Sequence, residues 1–190
     1  YKRQIQDGVS LTLPPEPPTH FSIVYSDGDL QLSWQPGDTG PSLGDAAESY
    51  ILFTSMDGRS WDNGTVVHDP QIEIPAPTDV HFYRVAAVNS GGVSFPTETL
   101  GAKASQQPQV LLVSAFDRLQ RSSLFWADVG SVGSVKRMDI RSINSFDSTA
   151  VYARGLSKLG YSFVSVSNER LDAVDPVSYT HLTLPTILSV

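Results

Sequence analysis

The sequence predicts a mainly β chain: a β-sandwich followed by the truncated start of an α/β domain. Three observations predict it. Short runs of alternating apolar residues recur between turn signals from Phe21 to Leu100, the period-2 pattern of strands with one buried face. Val110-Leu-Leu-Val-Ser-Ala-Phe116 is then an apolar run, as a strand buried on both faces requires. Finally, Ser148 to Leu159 sets Ala150, Val151, Ala153, Leu156 and Leu159 at helical spacing, and Gly160 stops it before a second strand from Tyr161 to Val166. A strand, a long connection with a helix, and another strand open a doubly wound α/β domain.

Composition narrows the function classes. The chain has 190 residues, room for one large or two small domains, and its 40% hydrophobic content is ordinary for a globular protein. A net charge of -7 with no Lys/Arg run argues against nucleic acid, whose phosphates an acidic surface repels. There is no cysteine, which excludes disulfides, thiolate-bound zinc and a thiol nucleophile. No apolar stretch reaches the roughly 18 residues of a membrane helix. Neither a cofactor nor a metal site is expected, because His68 and His81 have no third ligand at metal spacing.

Taken in chain order, Tyr1-Lys-Arg-Gln-Ile5 reads as the last turn of a helix closed by Asp7-Gly8, the end of an upstream domain. Leu11-Thr-Leu-Pro-Pro-Glu-Pro-Pro18 follows. Its prolines lack N–H donors and force extended geometry, so it reads as a stiff linker. Phe21, Ile23 and Tyr25 alternate up to Asp27-Gly28. Leu30, Leu32 and Trp34 alternate up to Pro36-Gly37. Asp38 to Glu48 is polar and Gly/Pro-rich, an extended loop. Tyr50 and Leu52, with Ile51 and Phe53 on the other face, make a third strand ending at Asp57-Gly58. Val66-Val67, Ile72/Ile74, Phe82 to Val88 and Phe95 to Leu100 complete the set.

Trp34, Ser55-Met-Asp-Gly-Arg-Ser-Trp61 and Tyr83-Arg-Val-Ala-Ala-Val-Asn89-Ser-Gly-Gly-Val-Ser94 resemble a fibronectin type III (immunoglobulin-like) sandwich over residues 17–104. The resemblance implies that Tyr83 is the corner tyrosine, its ring in the core and its hydroxyl on a backbone carbonyl. Val85 and Ala87 point inward by alternation, and Asn89 with Gly91-Gly92 shapes the last hairpin. Trp34 belongs to the core. Trp61 sits by a turn and is a candidate ligand contact, with Tyr25 as its companion.

Residues 105–109 read as a linker and residues 110–176 as the α/β start, too short to close such a sheet. Ligands bind at the carboxyl ends of parallel strands. That singles out Asp117 and Arg118 after the first strand, and Ser167, Asn168 and Glu169 after the second. The plain alternative is that Asp117 and Arg118 pair locally while Asn168 caps the next helix. No catalytic Ser/His/Asp set can be assembled, since no histidine lies between Val110 and Pro176.

Val110 to Arg118 and Gly160-Tyr-Ser-Phe-Val-Ser-Val-Ser-Asn-Glu169 resemble exported bacterial proteins labelled xanthan lyase or golvesin C-terminal-like. The resemblance implies an upstream zinc-dependent N-acetylmuramoyl-L-alanine amidase, to which Tyr1 to Gly8 would belong, and a periplasmic, cell-surface or secreted location. The tail Val177-Ser-Tyr-Thr-His-Leu-Thr-Leu-Pro-Thr186 is what GTC TCT TAT ACA CAT CTG ACG CTG CCG ACG encodes. Residues 177–190 therefore read as a sequencing adapter in frame, although Tyr179 to Leu184 has strand-forming composition. The expected function is a non-catalytic spacer or accessory region of a multidomain enzyme acting on cell wall or polysaccharide, contacting neighbouring domains of its chain. The alternatives are a carbohydrate- or protein-binding module, or part of a hydrolytic α/β domain completed elsewhere.

Overall fold

The computed structural model describes residues 5–6, 9–40, 43–115, 124–138, 147–174 and 179–184. Seven strands build the sandwich, and an eighth short one extends it: β3 (Thr19–Ser26), β4 (Asp29–Gln35), β5 (Ser49–Ser55), β6 (Thr65–Val67), β7 (Gln71–Pro75), β8 (His81–Asn89), β9 (Gly92–Val93) and β10 (Leu100–Ala102). Before them, β1 (Ile5–Gln6) and β2 (Val9–Ser10) form an antiparallel pair. Ile5 is thus in a strand and not in the helical turn expected there; Tyr1 to Gln4 lie outside the described residues.

One sheet runs β3-β4-β7 and the other β10-β8-β5-β6, with β9 added to β8. Three strands face four, and β6 beside β5 takes the fourth place. This is the fibronectin type III arrangement of an immunoglobulin-like sandwich. The β3–β4 hairpin turns on Asp27 (φ 51°) and Gly28 (φ 102°), two left-handed residues that match the twist of the paired strands.

Alternation fills the core as expected. Phe21, Ile23, Leu30, Leu32 and Trp34 come from one sheet, and Tyr50, Leu52, Tyr83, Val85 and Ala87 from the other, all buried. Trp34 stands edge-on to Phe21 and Tyr50 at 6.3 and 5.3 Å between ring centroids, the geometry aromatic quadrupoles favour. Trp34 is a core residue. The Tyr83 ring is buried in the same cluster, and burial raises its phenol pKa. A bond from its hydroxyl to a backbone carbonyl is not among those formed by the described residues.

The last expected sandwich strand is broken. Between β9 and β10 lies Pro96, which has no N–H to give to a ladder. Side chains fill in: Ser94 Oγ accepts from Ala87 N at 2.9 Å and Thr97 Oγ from Val85 N at 3.0 Å.

The Pro-rich lead is bedded on the sandwich. Asn89 Nδ2 donates to the carbonyls of Leu13 (2.9 Å) and Ala46 (3.2 Å), while Leu13 N donates to Asp45 Oδ2 at 2.8 Å. A Cβ added at Gly91 would stand 2.5 Å from the Thr12 carbonyl oxygen, and one at Gly44 would meet that of Pro14. Only glycine lets the lead come this close. Residues 11–18 are therefore packed structure as well as a proline-stiffened stretch.

After the sandwich come β11 (Val110–Ser114), the hairpin β12 (Leu124–Val129) and β13 (Gly133–Met138), α1 (Ser148–Lys158), β14 (Phe163–Ser167) and β15 (Thr180–Leu184). Helix α1 and strand β14 fall where periodicity sets them. The β12–β13 hairpin lies within the long connection between the first strand and the helix. β11 pairs in parallel with β14 and with β15, so the Thr/Leu alternation of the tail does form a strand.

These strands do not stand apart. β14 pairs antiparallel with β3 at Val166↔Ser22, giving one six-stranded sheet ordered β15-β11-β14-β3-β4-β7. β14 thereby covers an edge that β3 would otherwise present unpaired. Helix α1 closes a second apolar cluster, in which Ala150 and Ala153 meet Phe82, Leu112 and Phe163. Each such Phe or Leu buried contributes about 1.5–3 kcal/mol.

Candidate functional site

The strand-end residues named by the sequence are reached first through β14. Ser167 ends the strand, is buried, and its Oγ has no hydrogen-bond partner. Asn168 and Glu169 open a short 3-10 segment, Asn168–Ala173, and both are exposed. With its amide turned to satisfy its neighbours, Asn168 donates to the Glu169 carboxylate at 2.8 and 3.0 Å and to the Ser114 carbonyl at 3.3 Å. Asn168 and Glu169 thus bind each other and tie the ends of β11 and β14. Asn168 makes no helix cap, because the capping position falls on Ser167. Asp117 and Arg118 lie outside the described residues.

Trp61 is half-buried. The Arg84 guanidinium lies over its ring at 4.1 Å, and the Phe53 ring is 5.3 Å from the same group. One face of the indole is therefore occupied by a cation–π stack, and the residue packs against the α1 cluster. Arg84 is itself half-buried, its Nε unpartnered, and burial lowers its pKa. The turn before Trp61 is built by Asp57, whose carboxylate accepts from the N–H groups of Arg59 (2.8 Å) and Ser60 (2.7 Å) and from the hydroxyls of Ser55 and Ser60. Those bonds, with Ser60 N–H foremost, hold its pKa far below the usual carboxylate range. Helix α1 docks on this turn through Arg154 Nη1, which donates to the Asp57 carbonyl at 2.9 Å.

A third feature is absent from the sequence reading. On the outer face of β3, β4 and β7 the register sets Ser22, Ser33 and Gln71 in one cross-strand row and Val24, Gln31 and Glu73 in the next. Ser22 and Ser33 share a hydroxyl hydrogen bond of 2.8 Å. Arg170, from the 3-10 segment, overhangs the rows, and Asp69 stands at their rim, enclosing a cleft of about 570 Å³. The Arg170 Nε is buried without a hydrogen-bond partner, and no ion pair joins Arg170 to a described residue. In the sequence these positions read as the solvent face of alternating strands. Their only signal was that the outward residues are amides and hydroxyls more than charges.

Among the described residues, no group of three or more His, Asp or Glu side chains could hold a metal ion, and no helix is long and apolar enough to cross a membrane.

No family model matches the chain, and no curated protein matches it. Solved structures do. The chain is similar to the twitchin kinase region from C. elegans, at 23% identity and TM-score 0.40, over 51% of this chain and 18% of that one. It is similar to a human fibronectin type III domain, at 16% identity and TM-score 0.43, over 53% of this chain and 88% of that one. It is also similar to the structure titled FN3tt mut, at 19% identity and TM-score 0.38, over 47% and 94%. The chain spans less than a fifth of the twitchin region. These likenesses are to proteins that contain fibronectin type III domains, and the assignment of the sandwich rests on its own strand order and register.

Proposed function

We propose that this chain is a non-catalytic spacer and accessory region of an exported bacterial multidomain enzyme acting on cell wall or polysaccharide. One observation carries the reading: the segments entering and leaving the sandwich are both built into it, at the two ends of β8. The lead is held at Asn89. The exit strand β10 pairs at the other end, Ala102↔His81, and continues into Lys103, which exchanges two 2.9 Å backbone bonds with Phe163. At about 3.3 Å per residue those ends are roughly 26 Å apart. Such a unit sets distance and direction between whatever adjoins it. The exported setting is supported by the resemblance of the Val110–Arg118 and Gly160–Glu169 runs.

The test is direct. The purified chain should turn over neither peptidoglycan nor xanthan, and the complete reading frame should place an enzyme domain, an N-acetylmuramoyl-L-alanine amidase or a polysaccharide lyase, beside it. Turnover by the chain alone, or a reading frame without any enzyme domain, overturns the proposal.

A further inference from the structure

The geometry points to a ligand site in the cleft beneath Arg170, for a polyhydroxylated molecule bearing one carboxylate. Arg170 overhangs the cleft with a half-buried guanidinium that has no ion-pair partner among the described residues and whose Nε is shut off from water. With Nε closed off, the terminal Nη1 and Nη2 groups are the donors left to a ligand, and a carboxylate meets that end-on fork with two parallel charge-assisted bonds.

The floor names the rest of the ligand. Gln31, Ser33, Gln71 and Glu73 project from neighbouring strands at the spacing of a sheet, in two rows fixed by the β3–β4–β7 register. Amides both donate and accept, and a carboxylate accepts. Hydroxyl groups spaced along a ring or a short chain match such rows; an apolar ligand would leave them unpaired, at a penalty. Glu73 and Asp69 face the same cleft as Arg170. They accept from hydroxyls and repel a second anionic group, which sets the limit of one carboxylate. The Trp61 site offers less, because Arg84 already covers its ring.

This inference does not rest on the accessory reading, since an inert sandwich with the same cleft binds the same ligand. The experiment is a backbone-amide NMR titration of the full chain with four probes: glucuronate, gluconate, glucose and acetate. Glucuronate should shift amides confined to Gln31, Ser33, Gln71, Glu73 and Arg170, with a dissociation constant on the order of millimolar, as expected of so small a ligand. Glucose, lacking the carboxylate, and acetate, lacking the hydroxyls, should each bind about tenfold or more weakly. Gluconate separates a ring-shaped source from an open-chain acid: equal binding of the two identifies the shared polyhydroxy-carboxylate chemistry, and preference for glucuronate identifies a saccharide. Arg170→Ala should remove the glucuronate response while the rest of the amide spectrum stays in place; Gln71→Ala should weaken it severalfold. Equal shifts from glucose and glucuronate, shifts centred on Trp61, an unchanged response in Arg170→Ala, or no response at all overturns the proposal.

Discussion

Gly101 and Ser165 hold the two halves of the chain together through a single hydroxyl: Gly101 N–H donates to Ser165 Oγ at 2.6 Å, and Ser165 Oγ donates to the Gly101 carbonyl at 2.7 Å. Both residues are buried, β10 and β14 pack against each other, and the bonds cross from one sheet to the other. Ser165→Ala leaves a buried N–H and a buried carbonyl without partners. It should lower stability by about 2–4 kcal/mol, read as a lower urea midpoint at unchanged slope.

Gly58 tests the second junction. Its φ is +72°, and a Cβ there would lie 2.7 Å from the Ala150 Cβ of α1. Gly58→Ala should destabilise by about 1 kcal/mol from backbone strain alone, with more from the clash. In an Ala150→Gly background the clash part disappears, so the substitution should be milder there. A double-mutant cycle by denaturant unfolding measures the difference.

Asp57 gives the pH dependence. Its folded pKa is depressed, so its bonds contribute stability that is fully present above the unfolded value of about 3.9 and lost as pH falls through the folded value. Thermal melts should therefore show the 55–61 turn contributing fully at pH 5–7 and weakening only in strong acid. Asp57→Asn should lower Tm at pH 7 and flatten the acid slope.

The lead can be unseated. Asn89→Ala removes two bonds to carbonyls and one that its Oδ1 accepts from Gly91 N at 2.8 Å. Gly91→Ala drives a methyl group onto the Thr12 carbonyl. Either change should speed proteolytic cleavage within residues 9–18 severalfold while β3 to β10 stay protected, as mass spectrometry of the fragments would show.

Trp61→Ala should lower stability by about 1–3 kcal/mol, combining a lost cation–π stack with lost packing, and should leave the glucuronate response of the Arg170 cleft unchanged. A ligand response that disappears with Trp61 would return the contact to that tryptophan.

How much of this was legible follows from the range over which each signal acts. The alternation of Phe21/Ile23, Leu30/Leu32/Trp34 and Tyr83/Val85/Ala87 depends on neighbours two residues apart, so the sequence alone determined the sandwich, its core and the α1 and β14 segments that follow. Turn chemistry at Asp27-Gly28 and Asn89-Gly91 is equally local. Other features needed partners far along the chain. Ser165 meets Gly101 across 64 residues and Asn89 meets Leu13 across 76, and no spacing rule reveals either pair. The Gln31, Ser33 and Gln71 rows exist only once the register is set, and Arg170 reaches them only because β14 docks on β3. The local pattern decided which side chains are buried. Only the tertiary structure decided which exposed ones share a cleft, because that depends on which strand edges meet.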